Sequence, residues 1–350
     1  MRKILITGGA GFIASSLADK LLEDTKNKLV IVDNLSTGKL NNYSNSRPDA
    51  LKRTAQIAGQ EIKNYDIDLC DMNALRAIAQ KEKIDGIIHF AAYKAVGESY
   101  EQPLKYYRNN LYSLINILDL LAEFKIPNFI FSSSCSIYGD IKESPVTEES
   151  PMQPAESAYG NTKQMGEQMI EQYSKVHDTK SIALRYFNPV GSHPTGLIGD
   201  HPIVPSSNLV PIIAEVAIGK REKLSVFGSD YDTRDGSCIR DYIHVCDIAS
   251  AHTSALKMLE NNGEYPNFDV INLGSGNGVT VIEMIKAFEE ATGLTVNHEL
   301  VARRPGDVEA VYANNNKAKN ILNWVPKFEL KEMMSSTLKW QQFIAKSENQ

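Results

Sequence analysis

The chain has 350 residues, 42% hydrophobic and 23% charged, enough to bury a sizeable core and to divide into two domains. A net charge of −6 without any basic block argues against nucleic acid, and no apolar run nears the roughly 20 residues of a membrane span. Cys70, Cys135, Cys238 and Cys246 form no CxxC pair and have no histidine at a ligand-like offset, so neither a disulfide framework nor a metal site is indicated, and the start lacks the apolar stretch of a signal peptide, which predicts a cytoplasmic protein.

Residues 3–7, Lys-Ile-Leu-Ile-Thr, predict a buried parallel strand, and Phe12, Leu17, Leu21 and Leu22 the apolar stripe of a following helix. Between them Gly8 permits a tight turn, and Gly11 lets backbone approach a pyrophosphate at the positive end of that helix. Ala14 replaces the third glycine of such loops, a packing position that tolerates a methyl group. The next strand, 29–32, ends in Asp33-Asn34, where an acid can hydrogen-bond a ribose 2′-hydroxyl and repel a 2′-phosphate. No arginine follows it, so the pattern reads as NAD and not NADP. A turn or helix-cap role for Asp33 remains the alternative.

Strand-like and helix-like stretches then alternate: 85–90, the helix 104–124, the strand 128–131, the helix 159–176, and the strand 181–185. Repeated βα units predict an α/β doubly wound parallel sheet of Rossmann type with a smaller, interleaved substrate-binding domain. After Phe187-Asn188-Pro189 the composition shifts to Pro, Gly and Ser as far as Asn208. This predicts a dinucleotide domain over 1–187, with 241–274 partly returning to it, and a second domain from 188–240 and 275–350. The stripes Tyr107, Leu111, Leu114, Ile115, Leu118 and Met165, Met169, Tyr173 predict sheet-covering helices with surplus apolar area for pairing with a second subunit.

Phe-Ser-Ser-Ser134 ends a strand where open α/β sheets bind ligands, and Tyr159-Gly-Asn-Thr-Lys163 opens the next helix, four residues putting Tyr159 and Lys163 on one face. A lysine ammonium and a cationic nicotinamide both favour a phenolate, so Tyr159 can take a proton from a sugar hydroxyl that Ser134 aligns, while Lys163 also holds the cofactor ribose. Alone, such a pair also arises by chance on a protein surface.

The motifs TGGAGFIA, IVDNLSTG, HFAAYKAVGES, FSSSCSIYG, YGNTK, ALRYFNPVG, SNLVPIIAEVA, RDYIHVCD, INLGSG and RRPGDVEAVYAN occur in an order that resembles the UDP-glucose (UDP-galactose) 4-epimerase family of extended short-chain dehydrogenases, from Lys3 to about Trp340. That resemblance implies a tightly held NAD, reduced and reoxidised in each turnover, and a 4-keto sugar that turns over in the pocket. It implies Ser134, Tyr159 and Lys163 as catalytic. Around NAD it implies Gly8, Gly11, Phe12, Ile13, Asp33, Asn34, Leu35, Ser36, Thr37, Gly38, Asp68, Leu69, Phe90, Ala91, Ala92, Lys94, Asn109, Ser134, Tyr159, Lys163, Tyr186 and Phe187. Against the UDP-hexose it implies Lys94, Ser134, Tyr159, Asn188, Asn208, Leu209, Phe227, Arg240, Arg303, Asp307 and Val311. The family is commonly homodimeric. Ala92-Tyr93, where relatives usually carry Gly-Leu, and Ala14 depart from the pattern without removing a catalytic group.

Arginine forks suit a diphosphate, although Arg240 and Arg303 could equally form ion pairs with Asp241 or Asp307, and Phe227 could be core. The resemblance also implies that the residue at Val311 flanks the C2 substituent of the sugar, where a tyrosine narrows the pocket to hexoses; valine then predicts that N-acetylhexosamines enter as well, unless Val311 only fills core. A 4,6-dehydratase on the same scaffold would carry an Asp-Glu pair where Cys135-Ser136 stands. A UDP-glucuronate decarboxylase would lack the long insert after YFNPVG, and a noncatalytic NAD-sensing regulator would have lost Tyr159 or Lys163.

Overall fold

The computed structural model describes residues 2–23, 27–36, 47–200, 208–260, 265–304 and 307–348. Its first half lays down β1 (Arg2–Thr7), α1 (Phe12–Leu22), β2 (Asn27–Val32), α2 (Arg47–Ala58), β3 (Lys63–Tyr65), α3 (Met72–Glu82), β4 (Gly86–His89), α4 (Val96–Glu101), α5 (Pro103–Phe124), β5 (Asn128–Ser134), a 3-10 turn (Cys135–Tyr138), α6 (Ala158–Ser174) and β6 (Lys180–Tyr186). There follow β7 (Asn188–Val190), α7 (Leu209–Ala217), β8 (Leu224–Phe227), β9 (Ile239–His244), α8 (Val245–Glu260), β10 (Phe268–Leu273), β11 (Gly278–Thr280), α9 (Val281–Thr292), β12 (His298–Val301), β13 (Ala310–Val311), α10 (Asn316–Leu322) and α11 (Leu330–Glu348).

Seven strands form one parallel sheet in the order β10-β6-β5-β4-β1-β2-β3. Its central strands are apolar throughout because helices cover both faces, and the two-residue side-chain period splits them cleanly. Ile4, Ile6, Ile31, Ile88, Ile130, Ile182 and Leu184 join α1 and α8 on one face. Leu5, Val30, Val32, Ile87, Phe129, Phe131 and Ala183 join α3, α5 and α6 on the other. Ala14 is 1% exposed on α1 within the first of these clusters, a packing role for the position of the missing glycine.

After β6 the chain leaves the sheet, and α8 and β10 bring it back: α8 packs against α1, and β10 pairs with β6. Within 241–274, β9 stays outside the sheet and pairs with β7, β11 and β13. With β8 and β12 and with α7, α9 and α11, this excursion builds a separate core around Val210, Ile213, Met284, Phe288 and Met334. Thr280 and Glu283 cap α9 reciprocally, and Gly293 ends it in the left-handed region.

The apolar stripes predicted on α5 and α6 divide their work. Leu114, Leu118, Met169 and Tyr173 pack toward the sheet, whereas Ile115 is 40% and Met165 36% exposed, beside Leu104 at 68% and Tyr112 at 50%. Among the described residues no helix is long and apolar enough to cross a membrane, and no group of His, Cys, Asp and Glu gathers as a metal site.

Candidate active site

The strands point their carboxyl ends at one edge, and the predicted cofactor residues collect there. β1 ends at Thr7, and Gly8 turns at φ 66°. A Cβ at Gly8 would stand 2.9 Å from Ala91 N and Cα, so only glycine lets this turn nest against the segment after β4. Gly11 then caps α1 with backbone alone, leaving no side chain between the helix start and an anion. Phe12 and Ile13 follow on the first turn. The carboxylate of Asp33 accepts from Ala10 N at 3.0 Å and Leu35 N at 2.8 Å, clamping the glycine loop to the end of β2; the turn role kept open for Asp33 is therefore part of what it does. Asn34 donates to Asp68 at 3.0 Å and accepts from Ser36 N at 3.1 Å, which ties the loops after β2 and β3 together, with Leu69 buried beside them. Thr37 and Gly38 lie outside the described residues.

Phe90, Ala91, Ala92 and Lys94 follow β4. Asn110, which the sequence reading missed, organises this segment: it accepts from Tyr93 N at 2.9 Å and donates to Tyr93 O at 3.0 Å and Thr162 Oγ1 at 3.2 Å, while Asn109 donates to its Oδ1 at 2.9 Å. Asparagine can do this because its amide offers donors and an acceptor at once. Lys94 lies 3.6 Å from Asp200.

Ser134 ends β5 directly beside Tyr186 at the end of β6. Its hydroxyl accepts from Ser136 N at 3.2 Å and Ser136 Oγ at 3.1 Å. Ser157 caps α6 by accepting from Gly160 N at 3.1 Å, so Tyr159 and Lys163 sit on the first turns. Burial is the dominant influence on Tyr159 and pushes its phenol up to about 12, against a smaller lowering by its hydrogen bond with Ser134. Burial likewise lowers Lys163 to about 8, with Glu167 acting in the opposite sense. The lysine Nζ donates to Ser132 O at 2.6 Å and stands 5.8 Å from the centre of the Tyr159 ring. Desolvation thus dominates the Tyr159 phenol while the ammonium is bound to the Ser132 carbonyl; the lowering expected from Lys163 together with a cationic nicotinamide belongs to the complex with cofactor.

A buried network backs this site. Glu167 accepts from Ser133 Oγ at 2.5 Å and from both Nε and Nη2 of Arg185, at 3.0 and 2.7 Å, and Arg185 Nη1 donates to Tyr138 OH at 2.9 Å. Tyr186 OH donates to His252 Nε2 at 2.7 Å, since the other ring nitrogen faces Ile248 O at 2.8 Å and must carry the proton. Phe187 packs with Val311, Ile137, Tyr138 and Cys135 in a small core.

The predicted sugar-nucleotide residues come mainly from the second core. Asn188 opens β7, Asn208 and Leu209 start α7, and Asn208 lines a small cavity together with Phe12 and Val190. Arg240 on β9 lies 3.5 Å from Asp307 and donates to Ile239 O and Val308 O, each at 2.8 Å. Neither arginine pairs with Asp241, which instead accepts from Ser275, Gly276 and Ala313 backbone N–H groups. Arg303 pairs with Asp230 at 2.8 Å and stacks 4.0 Å from the Tyr231 ring. Its neighbour Arg304 is the one that joins Arg240 at Asp307, at 2.8 Å, and lies 5.3 Å from the Phe227 ring. Arg304 was not singled out because two adjacent arginines are indistinguishable in sequence. Phe227 is 39% exposed, which excludes the core role weighed for it, and Val311 is 8% exposed. A groove lined by Asp140, Lys142, Tyr231, Arg303 and Asp307 opens beside them.

The family model described as GDP-mannose 4,6 dehydratase matches residues 5–337. A UDP-glucose 4-epimerase of Haemophilus influenzae is 43% identical over 339 residues, 97% of this chain and 97% of that protein. The UDP-glucose 4-epimerase of Stenotrophomonas maltophila, solved with bound NAD and formylated UDP-arabinopyranose, superposes with a TM-score of 0.93 at 37% identity, covering 99% of this chain and all of that one. The UDP-Glc/GlcNAc 4-epimerase of Campylobacter jejuni superposes at 0.82 with 37% identity, covering 98% of this chain and 100% of that chain.

Proposed function

The chain belongs to the UDP-glucose 4-epimerase family of extended short-chain dehydrogenases, and from that premise we propose that it interconverts UDP-glucose and UDP-galactose with NAD through a 4-keto sugar. The observation that carries this reading is the convergence of Ser134, Tyr159 and Lys163 at the carboxyl edge of the parallel sheet, the edge at which the glycine turn also lies.

This chain's residues fit NAD. Gly8 and Gly11 keep side chains out of the path of a pyrophosphate, Asp33 brings a carboxylate to the ribose side, and the Lys163 amine lies beside both Ser132 and Tyr159. When bound, NAD supplies the hydride acceptor and donor for C4 of the hexose. Tyr159 takes the proton from the 4-hydroxyl and returns it after the sugar has turned, and Ser134 hydrogen-bonds the same oxygen. Burial opposes the phenolate, so a cation beside Tyr159 is required; Lys163, held at about 8, is still mostly charged at neutral pH. Arg240 and Arg304, joined at Asp307, offer two forks to the diphosphate and so anchor the nucleotide while the sugar rotates. Neither residue after Ser134 is a carboxylate, which leaves dehydration without its acid and base.

Val311 packs into the core that includes Phe187, and because it is smaller than a tyrosine at this position we extend the substrate range to UDP-N-acetylhexosamines. Leu104, Tyr112 and Ile115 on α5 with Met165 on α6 form an outward apolar face suited to a second copy, hence a homodimer. The four cysteines are free, which suits a reducing compartment, and we place the enzyme in the cytoplasm. The sheet with α8 and β10 forms the cofactor domain in this reading, and the second core the sugar-nucleotide domain. Purified protein, incubated without added NAD, is expected to convert UDP-galactose to UDP-glucose and UDP-N-acetylgalactosamine to its epimer, resolved by chromatography. Absence of UDP-glucose would refute the epimerase reading.

A further inference from the structure

The hydroxyl of Ser134 has one hydrogen and two lone pairs, and the structure commits both lone pairs. Ser136 N donates to Ser134 Oγ at 3.2 Å, and Ser136 Oγ donates to it at 3.1 Å. The single hydrogen left on Ser134 then has only one use, which is to be given away. We propose that Ser136 is a positioning residue that makes Ser134 an obligate hydrogen-bond donor, toward Tyr159 in the structure and toward the reacting oxygen of the sugar once that is bound.

Ser136 is held for this role from two sides. It lies in the 3-10 turn that continues β5, with Gly139 N donating to its carbonyl at 3.4 Å. Helix α6 presses against it: a Cβ at Gly160 would come within 3.1 Å of Ser136 O and 3.5 Å of Ser136 Cβ. Gln164 on the same helix donates to Ile137 O and Gln153 O, both at 2.7 Å, and so locks the turn to the element that carries Tyr159. The backbone that carries Ser136 is thereby held against the helix that carries Tyr159.

The polarity matters because the oxygen at C4 changes character during the reaction proposed above, on which this inference rests. A hydroxyl can accept or donate, but the 4-keto oxygen only accepts, and a phenolate only accepts. A Ser134 free to rotate would spend part of its time presenting lone pairs to oxygens that also carry only lone pairs. With Ser136 donating twice, that orientation is removed, and Ser134 favours the ionised phenol and the ketone alike. The place of the dehydratase carboxylate is thus taken by a hydroxyl turned back onto its neighbour.

The test is a set of holoenzyme variants, Ser136→Ala, Ser136→Thr, Ser134→Ala and the double Ser134→Ala/Ser136→Ala, assayed for conversion of UDP-galactose across pH, with thermal melts to check folding. Ser136→Ala is expected to lower kcat by about three- to tenfold, to leave KM within about twofold, and to move the acid limb of kcat upward by about half a unit to one unit, the effect of one lost neutral hydrogen bond. Ser136→Thr, which keeps the hydroxyl, is expected to restore both. In the Ser134→Ala background, removing Ser136 is expected to cost nothing more, because it acts through Ser134. A lowered kcat with an unmoved acid limb, or equal losses with and without Ser134, would make the role structural and overturn the proposal. So would a Ser136→Ala enzyme indistinguishable from its parent. An inactive parent would instead overturn the epimerase reading, and this inference with it.

Discussion

Replacing Glu167 by Gln tests the network behind the catalytic pair with almost no change of shape. Arg185, only 3% exposed at its side chain, loses a bidentate partner at 3.0 and 2.7 Å while keeping Tyr138 OH at 2.9 Å. Breaking a buried pair costs about 3–5 kcal/mol, and the surviving bond argues for the lower end. At about 2 °C per kcal/mol for a chain of this size, Tm is expected to fall by about 6 °C. The second effect is electrostatic. Glu167 lies four residues beyond Lys163 on α6, an offset that brings side chains to within about 5–6 Å, and losing a charge at that range removes about 2–3 kcal/mol of support for the ammonium. Lys163, already lowered to about 8 by burial, then falls by about one and a half to two units. Its charged fraction near pH 7.5 drops from about three-quarters to under about a tenth, so kcat is expected to fall roughly tenfold or more and the alkaline limb to move down by about one and a half units or more. Initial rates of UDP-glucose formation from about pH 6 to 10, beside a thermal melt, read both effects. An alkaline limb that stays in place while Tm falls would refute the role of Lys163 as the charged partner of Tyr159.

Tyr159→Phe removes the proton acceptor but keeps the ring, and kcat is expected to fall by about 10²- to 10⁴-fold with UDP binding by calorimetry little changed; near-normal turnover would refute the assignment. Gly8→Ala puts a methyl group 2.9 Å from Ala91 backbone at a φ of 66°, so the purified protein should lose most of its NAD as measured by cofactor release, whatever its remaining activity. Val311→Tyr should retain hexose turnover while N-acetylhexosamines lose roughly 10- to 200-fold in relative kcat/KM; equal losses for both would assign Val311 to packing alone. Light scattering should give a dimer mass, and a monomer at every concentration would refute the second-copy reading of the α5–α6 face.

The central strands of the sheet were readable because burial on both faces leaves unbroken apolar runs, and the glycine turn because Gly8 and Asp33 carry local chemistry. Helix ends were less legible where no glycine or proline marks them: α6 ends at Ser174, two residues before the predicted 176, because Lys175 already serves as its cap. Elements α2, β3 and α3 were not foreseen. β3 is a three-residue edge strand, Lys-Asn-Tyr, with no buried side chain, so no hydrophobic pattern marks it. Within the site, the four-residue spacing placed Tyr159 and Lys163 on one face but could not show that the ammonium turns to Ser132 O. The ion pair of Arg304 with Asp307 and the contact of Ser136 with Ser134 depend on how the chain leaves β12 and β5, which adjacent residues of like type do not record.

The return of β10 to the side of β6 also bears on how the polypeptide reaches this state. Until residues 245–273 have been synthesised, β6 is a bare sheet edge and α1 lacks the helix that covers Leu17 and Leu21. An emerging chain that stops at Phe187 therefore exposes both a strand template and an apolar helix face, the features that invite misassembly. Folding of the cofactor half has to wait for the excursion to be completed, which ties the two halves into one cooperative unit and makes contacts between residues far apart in sequence the slow step.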